Sequence, residues 1–366
     1  MPCDNTRLLA ALHQYLPIIV LWCAVCAVAS LVIRELGVRC LKKYPITALI
    51  LVLSLLSFPA AGVFKIMRPY QKRVFTLLRR EKSPAIASGA CSMYPPDSIW
   101  NRKIQDLPLD ASSATYVSQM GPGDKLHADF GVLGGYRYTV TDGTESNNDM
   151  TFESSESDRG PYRIPDNAIV EEGEDKHVLV LDQGNCMLYE LFGATHTGQG
   201  RWSASSGAIF DLRSNKLRPE GWTSADAAGT AILPGLARYD EVASGHISHA
   251  LRFTTRHTRR TFVWPARHYA SASSDPTLPP MGERFRLKAS VDIGRFSPQT
   301  RVLLTAMKEY GMILSDNGGN WYVSGSLDSR WSSSIPGEFA TLHGSDFEAV
   351  DESGLMIGSD SAQARQ

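Results

Sequence analysis

Two stretches near the start of the chain carry no charge: Leu16 to Ile33, 18 residues, and Tyr44 to Phe64, 21 residues. A helix rises about 1.5 Å per residue, so roughly 20 apolar residues cross a hydrocarbon core. The pattern predicts one or two membrane helices within residues 16–64. The second run also has the make-up of a signal peptide. Lys42-Lys43 would be its basic start, Ile46 to Phe58 its apolar centre and Ala60-Ala61-Gly62 its small-residue cleavage site.

Beyond residue 90 the apolar positions come in short runs instead. Tyr136 to Thr141, His177 to Asp182, Cys186 to Phe192, Arg201 to Ser205, Ala208 to Leu212, Ile247 to Thr255, Thr261 to Trp264 and Phe285 to Ala289 each read as a strand. Ser297-Pro298 opens a helix whose apolar positions are Val302, Leu303, Ala306, Met307 and Tyr310, and Gly311 ends it. Met312 to Ser315 and Trp321 to Ser324 flank Asp316-Asn317-Gly318-Gly319, which predicts a hairpin. Thr144 to Asp158 reads as a polar mobile loop. The prediction is an all-β domain of β-sandwich or jelly-roll type with one or two short helices. The chain divides into membrane or signal segments at 1–66, a basic juxtamembrane linker at 67–90, the β domain at 91–351 and a disordered tail at 352–366.

Charge sharpens that division. The net charge of −1 hides a split. Residues 1–90 hold 12 Lys/Arg against 3 Asp/Glu, leaving 25 against 35 for residues 91–366. An acidic domain argues against nucleic acid as a partner. The basic stretch Arg68 to Lys82 suits an anionic membrane surface. Topology stays open on charge alone, because basic residues flank the second run on both sides. The cysteines favour export. Only Cys91 and Cys186 lie beyond residue 90, and an isolated pair tying down the start of a domain suits an oxidising compartment. The expectation is a disulfide between them, in a secreted or membrane-anchored extracytoplasmic domain.

No Walker loop, HExxH, GxSxG or CxxC stands in residues 91–366, which removes nucleotide, zinc-protease and α/β-hydrolase readings. No cofactor is expected. The acids Asp142, Glu145, Asp149, Glu153 and Asp158 match no calcium-loop spacing and read as a solvated loop rather than a metal site. The remaining chemistry clusters between Ser205 and His268, with Asp316 beyond it. Cleaving a polysaccharide needs a proton donor and a second carboxylate. Asp226, Asp240, Glu241 and Asp316 are hemmed in by apolar or aromatic neighbours, which raises a carboxyl pKa. They are the candidate catalytic acids. Trp222 and Trp264 are candidate stacking faces for sugar rings, and His249, Arg252, Arg267 and His268 candidate binding groups.

Residues 91–351 also carry the segments SIWNRKIQDLP, HVLVLD, CMLYEL, SGAIFDL, GWTSADAAG, LPGLARYDEV, HALRFT, VWPARHYAS, PPMGERFRLKAS, YGMILSDNG and GSDFEAVD. In these the chain resembles a family of secreted bacterial and fungal β-rich proteins. The resemblance implies export and a β-rich domain and brings no activity with it. The chain departs from that pattern in its second apolar run and in Gly134-Gly135-Tyr136, where a Pro-containing strand is usual.

The expected function is action on extracellular carbohydrate, as a glycoside hydrolase or polysaccharide lyase, with a glycan as partner. The alternatives are a non-catalytic glycan-binding module and a structural envelope protein. On the catalytic reading, Asp226→Asn abolishes cleavage and leaves the fold intact.

Overall fold

The computed structural model describes residues 81–84, 86, 91–132 and 134–366. The expected membrane helices and signal peptide, and nearly all of the basic linker, lie outside the described residues. No helix among those residues is long and apolar enough to cross a membrane.

The domain is β-rich. Its strands are β1 (His127–Asp129), β2 (Thr139–Thr141), β3 (Asp149–Phe152), β4 (Val178–Asp182), β5 (Met187–Phe192), β6 (Thr195–Gly198), β7 (Arg201–Ala204), β8 (Ser206–Asp211), β9 (Leu251–Thr255), β10 (Arg284–Leu287), β11 (Met312–Asn317), β12 (Tyr322–Ser324) and β13 (Phe347–Ala349). Among the described residues there are four short α-helices, where one or two were expected. They are α1 (Ser113–Gln119), α2 (Tyr239–Ser244), α3 (Pro298–Glu309) and α4 (Ile335–Phe339).

The strands form three sheets. The first runs β1-β12-β9-β11-β10-β13, the second β2-β4-β5-β8 and the third β3-β7-β6. Alternate residues of a strand face opposite sides, and the apolar clusters follow that rule. Leu179 and Leu181 of β4 share a core with Leu188, Phe210, Ala250 and Ile313, so this core lies between the first and second sheets. Val178 and Val180 share another with Tyr189, Leu191, Trp202 and Ala204, between the second and third sheets. The second sheet is therefore buried on both faces, which explains the unbroken apolar run of β4. Leu251, Phe253, Met312 and Leu314 face the other way, into a core shared with Leu303 and Met307 of α3 and Phe339 of α4.

The expected hairpin does not form. β11 and β12 both pair with β9, which lies between them. The turn at Gly318-Gly319 thus spans a whole strand, because β9 supplies Leu251 and Phe253 to the core on which both neighbours pack. The polar stretch 144–158 contains β3, which pairs in parallel with β7. Nor is the tail beyond residue 351 loose. Its residues bridge Ser98, Lys216 and Met356, and Ala362 and Ala364 are buried against Ile99 and Trp100.

Cys91 and Cys186 are bonded, with Cα atoms 5.4 Å apart and a sequence separation of 95. The bond fixes the first described residues of the domain to the turn between β4 and β5. A long closed loop restricts the unfolded chain strongly. Replacing both cysteines with serine is expected to lower the unfolding free energy by about 2–4 kcal/mol. Urea denaturation reads this directly, and an unchanged midpoint would show that the crosslink adds no stability.

Candidate functional site

A cleft of about 740 Å³ opens where the first and second sheets part. One wall is a single face of the first sheet. Arg252 and Thr254 of β9 point away from the Leu251 and Phe253 core, and Tyr322 and Ser324 of β12 and Asp129 of β1 line the same wall. Asp316 should not be there. Strict alternation along β11 would place it with Met312 and Leu314 on the core face. A bulge between Leu314 and Asp316 shifts the register, so that Asp316 sits opposite Thr254. A bulge re-aims the side chains that follow it, and here it turns a carboxyl into the cleft.

The floor comes from the segment 221–229 (GWTSADAAG). Asp226 is 1% exposed. Its Oδ2 accepts hydrogen bonds from Arg252 Nε at 3.1 Å and Nη2 at 2.9 Å, and its Oδ1 accepts one from the Ala228 N–H at 2.8 Å. Arg252, equally buried, uses Nη1 on the Tyr136 hydroxyl at 3.0 Å and on Ser324 Oγ at 2.9 Å. Gly229 closes the segment with φ +70, and a Cβ there would lie 2.4 Å from the Trp222 carbonyl oxygen. Only glycine fits such a turn. Behind the floor, the buried Glu190 of β5 accepts the N–H groups of Ile232 and Leu233.

A second ion pair stands beside the first. His177 is buried, with Nδ1 2.5 Å from Glu171 Oε2 and Nε2 3.2 Å from the Ala225 carbonyl oxygen. Both ring nitrogens face acceptors, which favours the protonated ring. Burial alone would lower its pKa, but the Glu171 carboxylate outweighs that and raises it. The His177 and Tyr136 ring centroids are 5.3 Å apart.

Between these pairs lies Asp316. It is half-buried, accepts the Asn317 N–H at 2.7 Å, and makes no ion pair among the described residues. Burial pushes its carboxyl up, against the pull of Arg252 and His177. Burial also pushes Asp226 up, opposed by Arg252 and assisted by repulsion from Asp316. Asp129, at the exposed edge, is raised by its surroundings as well. Glu190 is pushed up to about 7 by burial, in spite of the two N–H groups it accepts.

The expected site residues therefore divide. Asp226, Asp316, Arg252 and His268 line the cleft. Asp240 and Glu241 do not. They form the first turn of α2, where Glu241 bonds Arg238 and lies 3.1 Å from His249 Nε2. Burial would raise the Glu241 pKa, but Arg238 and His249 hold it low, so it is a fixed anion rather than a proton donor. His249 is engaged in that same cluster. Arg267 is saturated by Asp360 and by the carbonyls of Arg218 and Ser359, and Trp264 donates its indole N–H to the Ser361 carbonyl. Both line a separate cleft. Trp222 lies against the Arg218 guanidinium, outside the lining.

Sequence reasoning missed Asp129, Tyr136, Glu171 and His177. His177 opens an apolar strand, and a polar residue at the end of such a strand was the one available signal. Comparison of the chain with family models, with curated proteins and with solved structures finds no match.

Two predictions follow from the floor. Asp226→Asn would leave Arg252 buried beside a neutral amide, at a cost of about 3–5 kcal/mol. This replaces the expectation of an intact fold, because the side chain is sealed from water and bidentately paired. Thermal unfolding checks it, and an unshifted midpoint would show that Arg252 finds another partner. For Glu190, a folded pKa of about 7 lies above the unfolded value near 4.3. The folded state then binds the proton more tightly across that window. The contribution of Glu190 to stability is present below about pH 4 and is lost as pH rises through about 7. Glu190→Gln should remove this downward slope, read as denaturation midpoints against pH.

Proposed function

We propose that the cleft is the active site of an exported glycoside hydrolase, with Asp316 as the proton donor. One observation carries this reading. Asp316 is the acid left without an ion pair between Asp226–Arg252 and Glu171–His177, and it opens on the cleft half-buried, with burial pushing its carboxyl up. A raised carboxyl pKa keeps the proton available near neutral pH. Asp226, 1% exposed, is a positioning residue: it fixes Arg252, which stands beside Asp316.

The second carboxylate in this reading is Asp129. It shares the Asp316 face of the sheet but stands three strands away. Strand spacing puts the backbones on the order of 14 Å apart. An inverting enzyme holds its two carboxyl groups about 6.5–9.5 Å apart, so in this reading the two side chains reach toward one another across the cleft. Phe192 and Tyr322 offer apolar faces at the sides. A neutral glycan suits the cleft better than a polyanion, because both cations are already paired and Asp129, Glu153 and Asp175 add negative charge to the lining. Elimination from a uronate needs a free cation, so hydrolysis is preferred to a lyase reaction.

The reading extends to the rest of the chain. The first and second sheets act as the two layers of a sandwich, and residues 16–64 tether or export the domain. The disulfide supports an oxidising compartment. The reaction moves only protons and water, so no cofactor takes part.

The test is the full chain, in detergent, against a panel of neutral polysaccharides with a reducing-end assay. Asp316→Asn is expected to lower kcat by about 10²–10⁴-fold with unchanged thermal unfolding. The wild-type rate should fall as pH rises and the donor loses its proton. Full activity in Asp316→Asn would remove it from this role. Binding without cleavage of any glycan would make the cleft a recognition site instead.

A further inference from the structure

A second cleft, of about 440 Å³, lies on the other side of the 262–268 segment. Its chemistry is unlike that of the first. Glu283 is 5% exposed, precedes β10 and lines the cleft. Its carboxylate has no hydrogen-bond or ion-pair partner among the described residues. Glu352, 7% exposed, gives Oε2 to Arg284 Nη1 at 3.0 Å, while its buried Oε1 has no partner. Asp351 and Asp110 add two more carboxylates to the same lining. Leaving a buried carboxylate oxygen unmatched is costly, so Glu352 Oε1, with the partnerless Glu283 opening on the same cleft, marks a missing counter-charge.

The cations already present cannot supply it. Arg284 donates to the carbonyls of Tyr310, Ile99 and Arg102 besides Glu352. Arg267 is saturated by Asp360, Arg218 and Ser359. Arg259, the cation that acts on Glu283 from a distance, donates to the Tyr116 hydroxyl and the Pro276 carbonyl, leaves its Nε without a partner and makes no ion pair with Glu283. A metal ion does not fit either, since no three acidic, His or Cys side chains among the described residues converge on one point. The opposite wall is apolar: Phe262, Val263, Trp264 and Met356.

We propose that this cleft binds a protonated primary amine, its ammonium between Glu283 and Glu352 and its carbon body against Trp264 and Phe262. Three donors on one ammonium suit the free oxygens of two carboxylates. A tryptophan face favours a cation or the apolar face of a ring. The amine can be carried by an amino sugar or by an aliphatic chain, and the probes below separate these. Titration of Glu283 agrees with an empty cation site. Burial first, and then repulsion from Asp110, Glu352 and Asp351, against the pull of Arg259, push it up to about 9. An arriving ammonium favours the ionised form, so binding should release a proton. Affinity for an amine that stays protonated throughout, such as 1,5-diaminopentane, should therefore rise with pH between about 7 and 9.

The experiment is calorimetric titration of the full chain in detergent with glucosamine and with 1,5-diaminopentane, and with N-acetylglucosamine as the uncharged control. Buffers of different ionisation heat read the proton. The expected result is binding of at least one amine, none of the control, and proton release. Glu283→Gln is expected to weaken binding roughly tenfold or more and to abolish the release. Asp351→Asn, at an exposed position that leaves folding untouched, should weaken it less. Tighter binding of glucosamine identifies an amino sugar, and of the diamine an aliphatic amine; either supports the proposal. Failure of both amines to bind, equal binding of the control, or unaltered affinity in Glu283→Gln would overturn it. None of these outcomes depends on glycan cleavage in the first cleft.

Discussion

The contact between Arg252 and Asp226 fixes where everything else in the first cleft can lie. Both groups are sealed between the first and second sheets, and each is satisfied only by the other and by a few neighbours. Two charges removed from water need good geometry to be tolerated. That requirement places the 221–229 segment against β9, pins Tyr136 and Ser324 through the remaining guanidinium N–H groups, and brings Asp316 beside the pair. The site is organised by charge matching within an otherwise apolar layer.

Around this contact, three devices work together. The bulge in β11 redirects one carboxyl from the core to the cleft. The Glu171–His177 pair supplies a second fixed cation–anion couple. Glu190 anchors the backbone of residues 232–233 behind the floor. Each is a polar exception to the packing of its own strand or segment, and each exception faces the seam where the sheets diverge. Buried polar groups that are fully matched rigidify a site. The second cleft differs in that Glu283 and one oxygen of Glu352 are left without partners among the described residues.

Much of the fold was legible from pattern. The short apolar runs marked β4, β5, β7, β8, β9 and β10, and the 3.6-residue spacing marked α3, because each of these segments is buried against an apolar core. The hairpin was misread for a physical reason. An Asn-Gly-Gly turn signals a reversal of the chain but not whether the two arms touch, and β9 competes for both. The tail looked disordered because it is polar, yet backbone pairing to Ser98 and Lys216 holds it and needs no apolar residues. Of the four acids singled out, Asp226 and Asp316 meet at the cleft. Asp240 and Glu241 have the same local composition but fall at a helix start beside Arg238 and His249.

By itself the sequence determined what local chemistry controls. Strand and helix periodicity, the charge split at residue 90 and the candidate crosslinking pair all depend on neighbours within a few residues or on composition. The grouping of Asp129, Tyr136, Glu171, His177, Arg252 and Asp316 was decided only by the tertiary structure. These residues come from six segments spread between positions 129 and 316, and nothing in their flanking residues encodes which face of which sheet they reach. Strand order and one bulge set that, and both are outcomes of packing three sheets at once.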